Sequence, residues 1–210
     1  QVDAGMLTLF GKGFYFSYDK FNVELKHVDR MCLHVKTDKY DHNGIRINDP
    51  VKNMIRDITG YISIDKPDNK SGRFIYEGYP RLVSKEASKV YYDHVSIQGG
   101  RYKKDTFYFT VDPFEFTDIN NINYSNTSFE GELTSGIFPV IRHPLVIRED
   151  NSLGFVQKSP EEGYPIYNGA ATYYNDVDLS WQGLLGNGDL EYLTSRSSSP
   201  RFTFLPDIAH

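Results

Sequence analysis

The sequence predicts an all-β chain, mainly strands with one short helix near 50–58. Three observations carry that prediction. Across Lys89–Phe116, Phe107, Phe109 and Val111 fall on one side of an extended run, and Thr106, Tyr108 and Thr110 on the other. A period of two is the mark of a half-buried strand. Sixteen Tyr, fourteen Phe and one Trp stand among 210 residues, a composition that suits pleated surfaces. Gly, Asn, Asp and Pro break the chain into strand-sized runs about 8–15 residues apart. This spacing fits a β-helix-like fold or elongated stacked sheets, with a jelly-roll sandwich as the alternative.

Taken in order, strands are expected at 6–10, 14–18, 21–28 and 31–36, with Gly11 and Gly13 breaking the first two apart. Asp41-His42-Asn43-Gly44 is a turn signature, because Asn and Gly tolerate positive φ. A short strand follows at 44–48. Val51, Met54, Ile55 and Ile58 then fall at helical spacing, with Asp49 as cap, Pro50 in the first turn and Gly60 as terminator. Strands resume at 61–65, 73–77, 90–97 and 106–111, with a loop at 66–72. The asparagine-rich stretch 118–127 is the place for a long loop or an internal boundary in what otherwise reads as a single domain over 1–210. Strands at 128–135, 138–142, 145–148 and 154–157 are kept short by Pro139, Pro144, Pro160 and Pro165, since proline donates no ladder bond. The last runs are 170–175, 177–181, 186–195 and 201–205. Residues 129–135 and 188–195 echo each other in Leu-Thr-Ser. That echo hints at stacked rungs, and two unrelated strand ends are the simpler reading.

Composition excludes several function classes. A domain of this length buries about 70% of its unfolded surface and needs no covalent staple. The net charge is −5, with no Lys/Arg cluster longer than two, so the counterion-releasing patch of a nucleic-acid binder is missing. No apolar run reaches the length of a membrane helix. The single cysteine, Cys32, rules out an intrachain disulfide and a multi-cysteine zinc site, and reads as a small buried hydrophobe. The chain begins with Gln1 and shows no signal peptide, which leads us to expect a processed form or a piece of a longer protein. Cysteine poverty with abundant Tyr, Asn, Asp and Gly suits a bacterial cell envelope or secreted protein.

Each candidate for chemistry competes with a plainer role. Lys39–Gly44 follows the centre of a calcium loop, yet Lys39 stands at the first ligand position and Pro50 where the bidentate Glu belongs, so a tight turn is expected. Asp65, Asp68 and Asn69, and Asp176 with Asp178, are oxygen-rich pairs of the kind solvated turns supply. His27, His34, His42, His94, His143 and His210 show no zinc spacing, and no metal site is expected. Glu130 and Glu132 share a strand side about 6–7 Å apart, which would suit a glycoside-active enzyme and more often marks a wet face. Nucleophile elbows, Walker loops and dinucleotide fingerprints are absent, so no cofactor is expected. Tyrosine is in surplus. Trp181, Tyr173 and Tyr92 are the rings best placed to stack on sugar faces, against the competing demand of the core for the same rings.

The segments GYISIDKPDNKSG, VYYD, FYFTVDPFEF, SGIFPVIRHPL, NSLGF, LSWQGLLGNGDLEYLTS and FTFLPD together resemble a recurrent segment of very long β-rich proteins of Bacteroidetes-type bacteria. The resemblance spans 60–207 and leaves the N-terminal sixth uncovered. It implies one module of a long envelope or secreted protein, flanked by other domains of the same polypeptide, and transfers no catalytic residue. The expected function is therefore a non-enzymatic structural or interaction module, with apolar residues of GMLTLF and FTFLPD left uncovered at its ends. A carbohydrate-binding module is the alternative and a glycoside-active enzyme the second.

Overall fold

The structure is a computed structural model that describes residues 1–206, so Asp207 and His210 lie outside the described residues. The chain is nearly all β, in two antiparallel sheets, neither closed into a barrel. The strands are β1 (Val2–Ala4), β2 (Leu7–Ser17), β3 (Asn22–Tyr40), β4 (Arg46–Pro50), β5 (Ile55–Ser63), β6 (Arg81–Ser84), β7 (Ser88–Tyr91), β8 (Tyr108–Val111) and β9 (Phe114–Phe116). There follow β10 (Ser128–Phe129), β11 (Gly131–Thr134), β12 (Ile141–Arg142), β13 (Leu145–Ile147), β14 (Leu153–Lys158), β15 (Tyr164–Ile166), β16 (Ala171–Ser180), β17 (Gly183–Tyr192) and β18 (Ser195–Thr203). Contacts divide the chain into two compact units. The first comprises Gln1–Lys89 and Val111–Phe129, the second Val90–Thr110 and the chain from Glu130 onward.

The first unit is built on β3, a strand of 19 residues that pairs with β2, β4 and β5. β5 continues to β6, and β6 to β9. Val23, Ile62, Leu82 and Phe116 are successive register partners across these four strands. Their neighbours Glu24, Tyr61, Val83 and Glu115 form the next row, turned to the other side by the two-residue period. The core collects Leu7, Leu9, Leu25, Met31, Leu33, Val35, Ile55, Ile58 and Ile62, all buried. Gly11 does not end a strand: β2 runs through it with a bulge after Phe10. The Asn-rich stretch is held inside this unit. Met6 N–H donates to the Ile119 carbonyl at 2.7 Å, Ile119 N–H donates to the Pro80 carbonyl at 3.0 Å, and Ile119 and Ile122 are buried.

The expected helix over 50–58 is instead the end of β4, a short link and the start of β5. Val51 N–H donates to the Leu33 carbonyl at 2.8 Å, and Ile55 is the register partner of Met31. The helical spacing has another origin. Asp57 takes φ 62° and interrupts the alternation, so Ile55 and Ile58 both turn inward although three residues apart. The free hydrogen-bonding side of β3 captures the segment more effectively than its own i to i+4 bonds would. Segment 73–77 has no strand partner and is irregular, and the strand expected at 90–97 ends at Tyr91.

The second unit layers β8 and β11 against β14, β16 and β17 through an aromatic core. Phe109 meets Phe155 at 6.3 Å between ring centroids, and Phe138, Tyr173 and Phe204 pack edge to face at 4.8–5.9 Å. Tyr102 ties the layers. Its hydroxyl donates to the Phe204 carbonyl at 2.8 Å and accepts from Leu184 N–H at 3.0 Å. The antiparallel hairpins of this unit place it on the sandwich side of the expected architectures. Parallel rungs do not form, because short turns such as the one between β16 and β17 return each strand beside its predecessor. The echoed segments are not equivalent either: Leu133 is fully buried, whereas Leu193 is 86% exposed in a turn with φ 53°.

Tyr102→Phe leaves Leu184 N–H and the Phe204 carbonyl without their partner in a buried site. Chemical denaturation should show a loss of about 1–3 kcal/mol.

Candidate functional site

The three rings singled out in the sequence do not converge. Tyr92 follows β7, is fully buried, packs edge to face on Phe107 at 5.8 Å and donates to the Leu153 carbonyl at 2.9 Å. Tyr173 on β16 is equally buried among Phe138, Phe202 and Phe204, and donates to the Asp176 carbonyl at 2.7 Å. Neither can offer a face to a sugar, so their assignment as ligand-binding residues is corrected to core. The demand of a two-layer β core for large side chains wins over display. Trp181, at the turn between β16 and β17, is half-buried. Its backbone N–H donates to Ser152 Oγ at 3.0 Å and its ring lies 5.2 Å from that of His94. Burial pushes the Tyr92 and Tyr173 phenols well above their ordinary value of 10.0, with help from Asp150 for the first and from Asp176 and Asp189 for the second. Burial likewise pushes Tyr102 up to about 12, opposed by the Leu184 N–H bond.

The other candidates resolve into structural roles. Asp41 Oδ1 accepts from Asn43 N–H at 2.9 Å and Ile45 N–H at 2.8 Å, a turn closed on itself. Asp178 lies 3.3 Å from the Arg148 guanidinium, and burial raises its carboxyl pKa against the pull of that cation. Glu130 is exposed just before β11, and Glu132 faces Arg142 in register. Cys32 is buried, which pushes its thiol up and away from the thiolate form. Among the described residues no three His, Cys, Asp or Glu side chains group as metal ligands would.

The structure displays apolar surface elsewhere, at the tip of the β2–β3 hairpin and the loop beside it. Phe16 is 55% exposed, Tyr18 65%, Phe74 65% and Ile75 98%. The two segments touch. Ile64 N–H donates to the Phe21 carbonyl at 3.1 Å, and Lys70 Nζ sits 4.1 Å over the Tyr18 ring. The loop is shaped by Asn69, itself buried. Its Nδ2 donates to Asp65 Oδ2 and to the Phe74 carbonyl, both at 2.7 Å, and its Oδ1 accepts from Phe74 N–H at 3.1 Å. A polar clamp thus holds Phe74 and Ile75 outward. The sequence does carry a trace of this: Phe74-Ile75 follows a turn-rich loop without the alternation that would bury one of the two. The apolar residues at the chain ends are not uncovered as expected, because Met6, Leu7 and Leu9 enter the core of the first unit and Phe204 that of the second.

The chain matches no family model, no curated protein and no solved structure.

Asn69→Ala should speed hydrogen exchange at the Phe74 amide and lower stability by about 1–3 kcal/mol, through loss of a buried clamp. The tyrosines predict a pH response. A folded-state phenol pKa above the unfolded value means that stability is intact below pH 10 and declines as pH rises through the window from 10 to about 12 set by Tyr102. Denaturant midpoints measured along this window should fall, and Tyr102→Phe should make the fall shallower.

Proposed function

We propose that the chain is a non-enzymatic interaction module of a larger bacterial envelope or secreted protein. It docks on flanking domains of the same polypeptide through the tip of its first unit. The observation that carries this reading is the exposed set Phe16, Tyr18, Phe74 and Ile75, of which the last two are held outward by the Asn69 clamp. Exposed apolar side chains that folding does not use, on two neighbouring segments, mark a docking face. Mobile loops can expose such residues by accident, whereas here hydrogen bonds on both sides of the Asn69 amide prescribe the exposure.

The test compares this chain with a version extended by its natural flanking segments. The extended version should melt at a higher temperature, and its tip should become protected from hydroxyl-radical labelling. Phe74→Ser with Ile75→Ser should leave the isolated chain within about 0.5 kcal/mol of its original stability, as exposed positions do. The same pair should erase the gain from the flanks. Equal melting temperatures with and without the flanks would count against the proposal.

A further inference from the structure

The side of the first unit's sheet that faces away from its core carries an ordered set of side chains. Tyr15, Glu24 and Tyr61 are successive register partners on β2, β3 and β5. In the adjacent row stand Ser17, Asn22, Ser63 and Arg81, on β2, β3, β5 and β6. Over β3, β5 and β6 this face sinks into a groove of about 500 Å³. Asn22 lines it at only 7% exposure, and its Oδ1 accepts no hydrogen bond from the protein. Arg81 lines it too. Its Nη1 is held by Glu115 at 2.8 Å, while its buried Nε–H has no protein acceptor. An unpaired buried acceptor and an unpaired buried donor are costly in a folded protein and are characteristic of sites completed by something else.

The charge arrangement narrows the ligand. Lys26 Nζ lies 4.7 Å from the centre of the Tyr15 ring and Lys85 Nζ 5.3 Å from that of Tyr61. Among the described residues neither ammonium lies within ion-pair distance of a carboxylate. Two unpaired cations thus sit on two aromatic platforms, in a chain whose net charge is −5. The platforms are two strand spacings apart, about 10 Å, longer than a single sugar ring. Glu24 lies between them on β3, and Ser63 stands beside Tyr61 on β5, to meet sugar hydroxyls.

We infer that this face binds an acidic polysaccharide, with uronate carboxylates on Lys26 and Lys85 and the sugar rings against the parts of Tyr15 and Tyr61 that these lysines leave uncovered. The site borders the apolar tip, whose Lys20, Asp65 and Pro67 line one end of the groove, but its aromatic and lysine contacts are other residues and do not depend on the docking role of the tip. It is also distinct from Tyr92, Tyr173 and Trp181.

The experiment is affinity electrophoresis and calorimetry of the intact chain against pectate, alginate and hyaluronate. Neutral dextran and a polyglutamate peptide are run in parallel. At least one uronate polymer should be bound, more weakly as salt rises. Lys26→Gln with Lys85→Gln should reduce affinity about tenfold or more, equivalent to 1.4 kcal/mol, at an unchanged melting temperature. Tyr61→Ala should abolish binding, while Tyr192→Ala in the second unit should leave it intact. Should Tyr61→Ala fail to fold, the exposed lysine pair decides alone. The inference is overturned if none of the three uronates binds, if dextran binds equally well, if the polyglutamate peptide binds more tightly than the sugars, or if the lysine pair changes nothing.

Discussion

The backbone hydrogen bonding of β3 is the constraint on which the first unit depends. One strand of 19 residues pairs with β2 along one side and with β4 and β5 along the other. Satisfying both sides of its backbone requires the segments before and after it to run extended, whatever their local preference. Residues 50–58 show the force of that requirement. Their apolar spacing is helical, but the open side of β3 draws them into strands, and a single positive φ at Asp57 reconciles the spacing with the sheet. Gly60 belongs to the same arrangement. A Cβ there would lie 1.8 Å from the Val83 carbonyl oxygen, so β5 and β6 can approach as they do only because the side chain is missing.

The second unit solves a different problem, that of filling space between layers with few aliphatic residues. Aromatic rings do this at the expense of their hydroxyls, which must find acceptors in a region without water. Tyr92, Tyr102 and Tyr173 each end on a main-chain carbonyl. Their raised phenol pKa values and their lack of exposure are consequences of one choice of core material. The same choice removes Tyr92 and Tyr173 from the surface and leaves Trp181, partly covered by His94, as the remaining ring of that set.

Function then resides in what the two-residue alternation turns outward. In the first unit the inward-facing Leu25, Ile62 and Leu82 enter the core, and the rows turned the other way, through Tyr61 and Arg81, make the groove. The Phe74–Ile75 loop of the tip differs in kind, because its exposure follows from a side-chain clamp at Asn69 instead of from the pleat.

The all-β class, the turn at Asp41–Gly44 and the alternation of Phe107, Phe109 and Val111 were legible in the sequence, because each depends on neighbours a few residues apart. Burial of Cys32 was legible too, since a small apolar side chain in a strand has one favourable place. The direction of Tyr92 and Tyr173 was not, because a Tyr-Tyr pair has the same pattern whichever ring faces in, and only the opposing layer decides. The fate of 50–58 was likewise set by the free side of a strand whose pairing residues lie about twenty positions earlier. The groove was invisible for the same reason. Asn22, Ser63 and Arg81 become neighbours only through pairing across three strands, and no local pattern connects residues that register alone brings together.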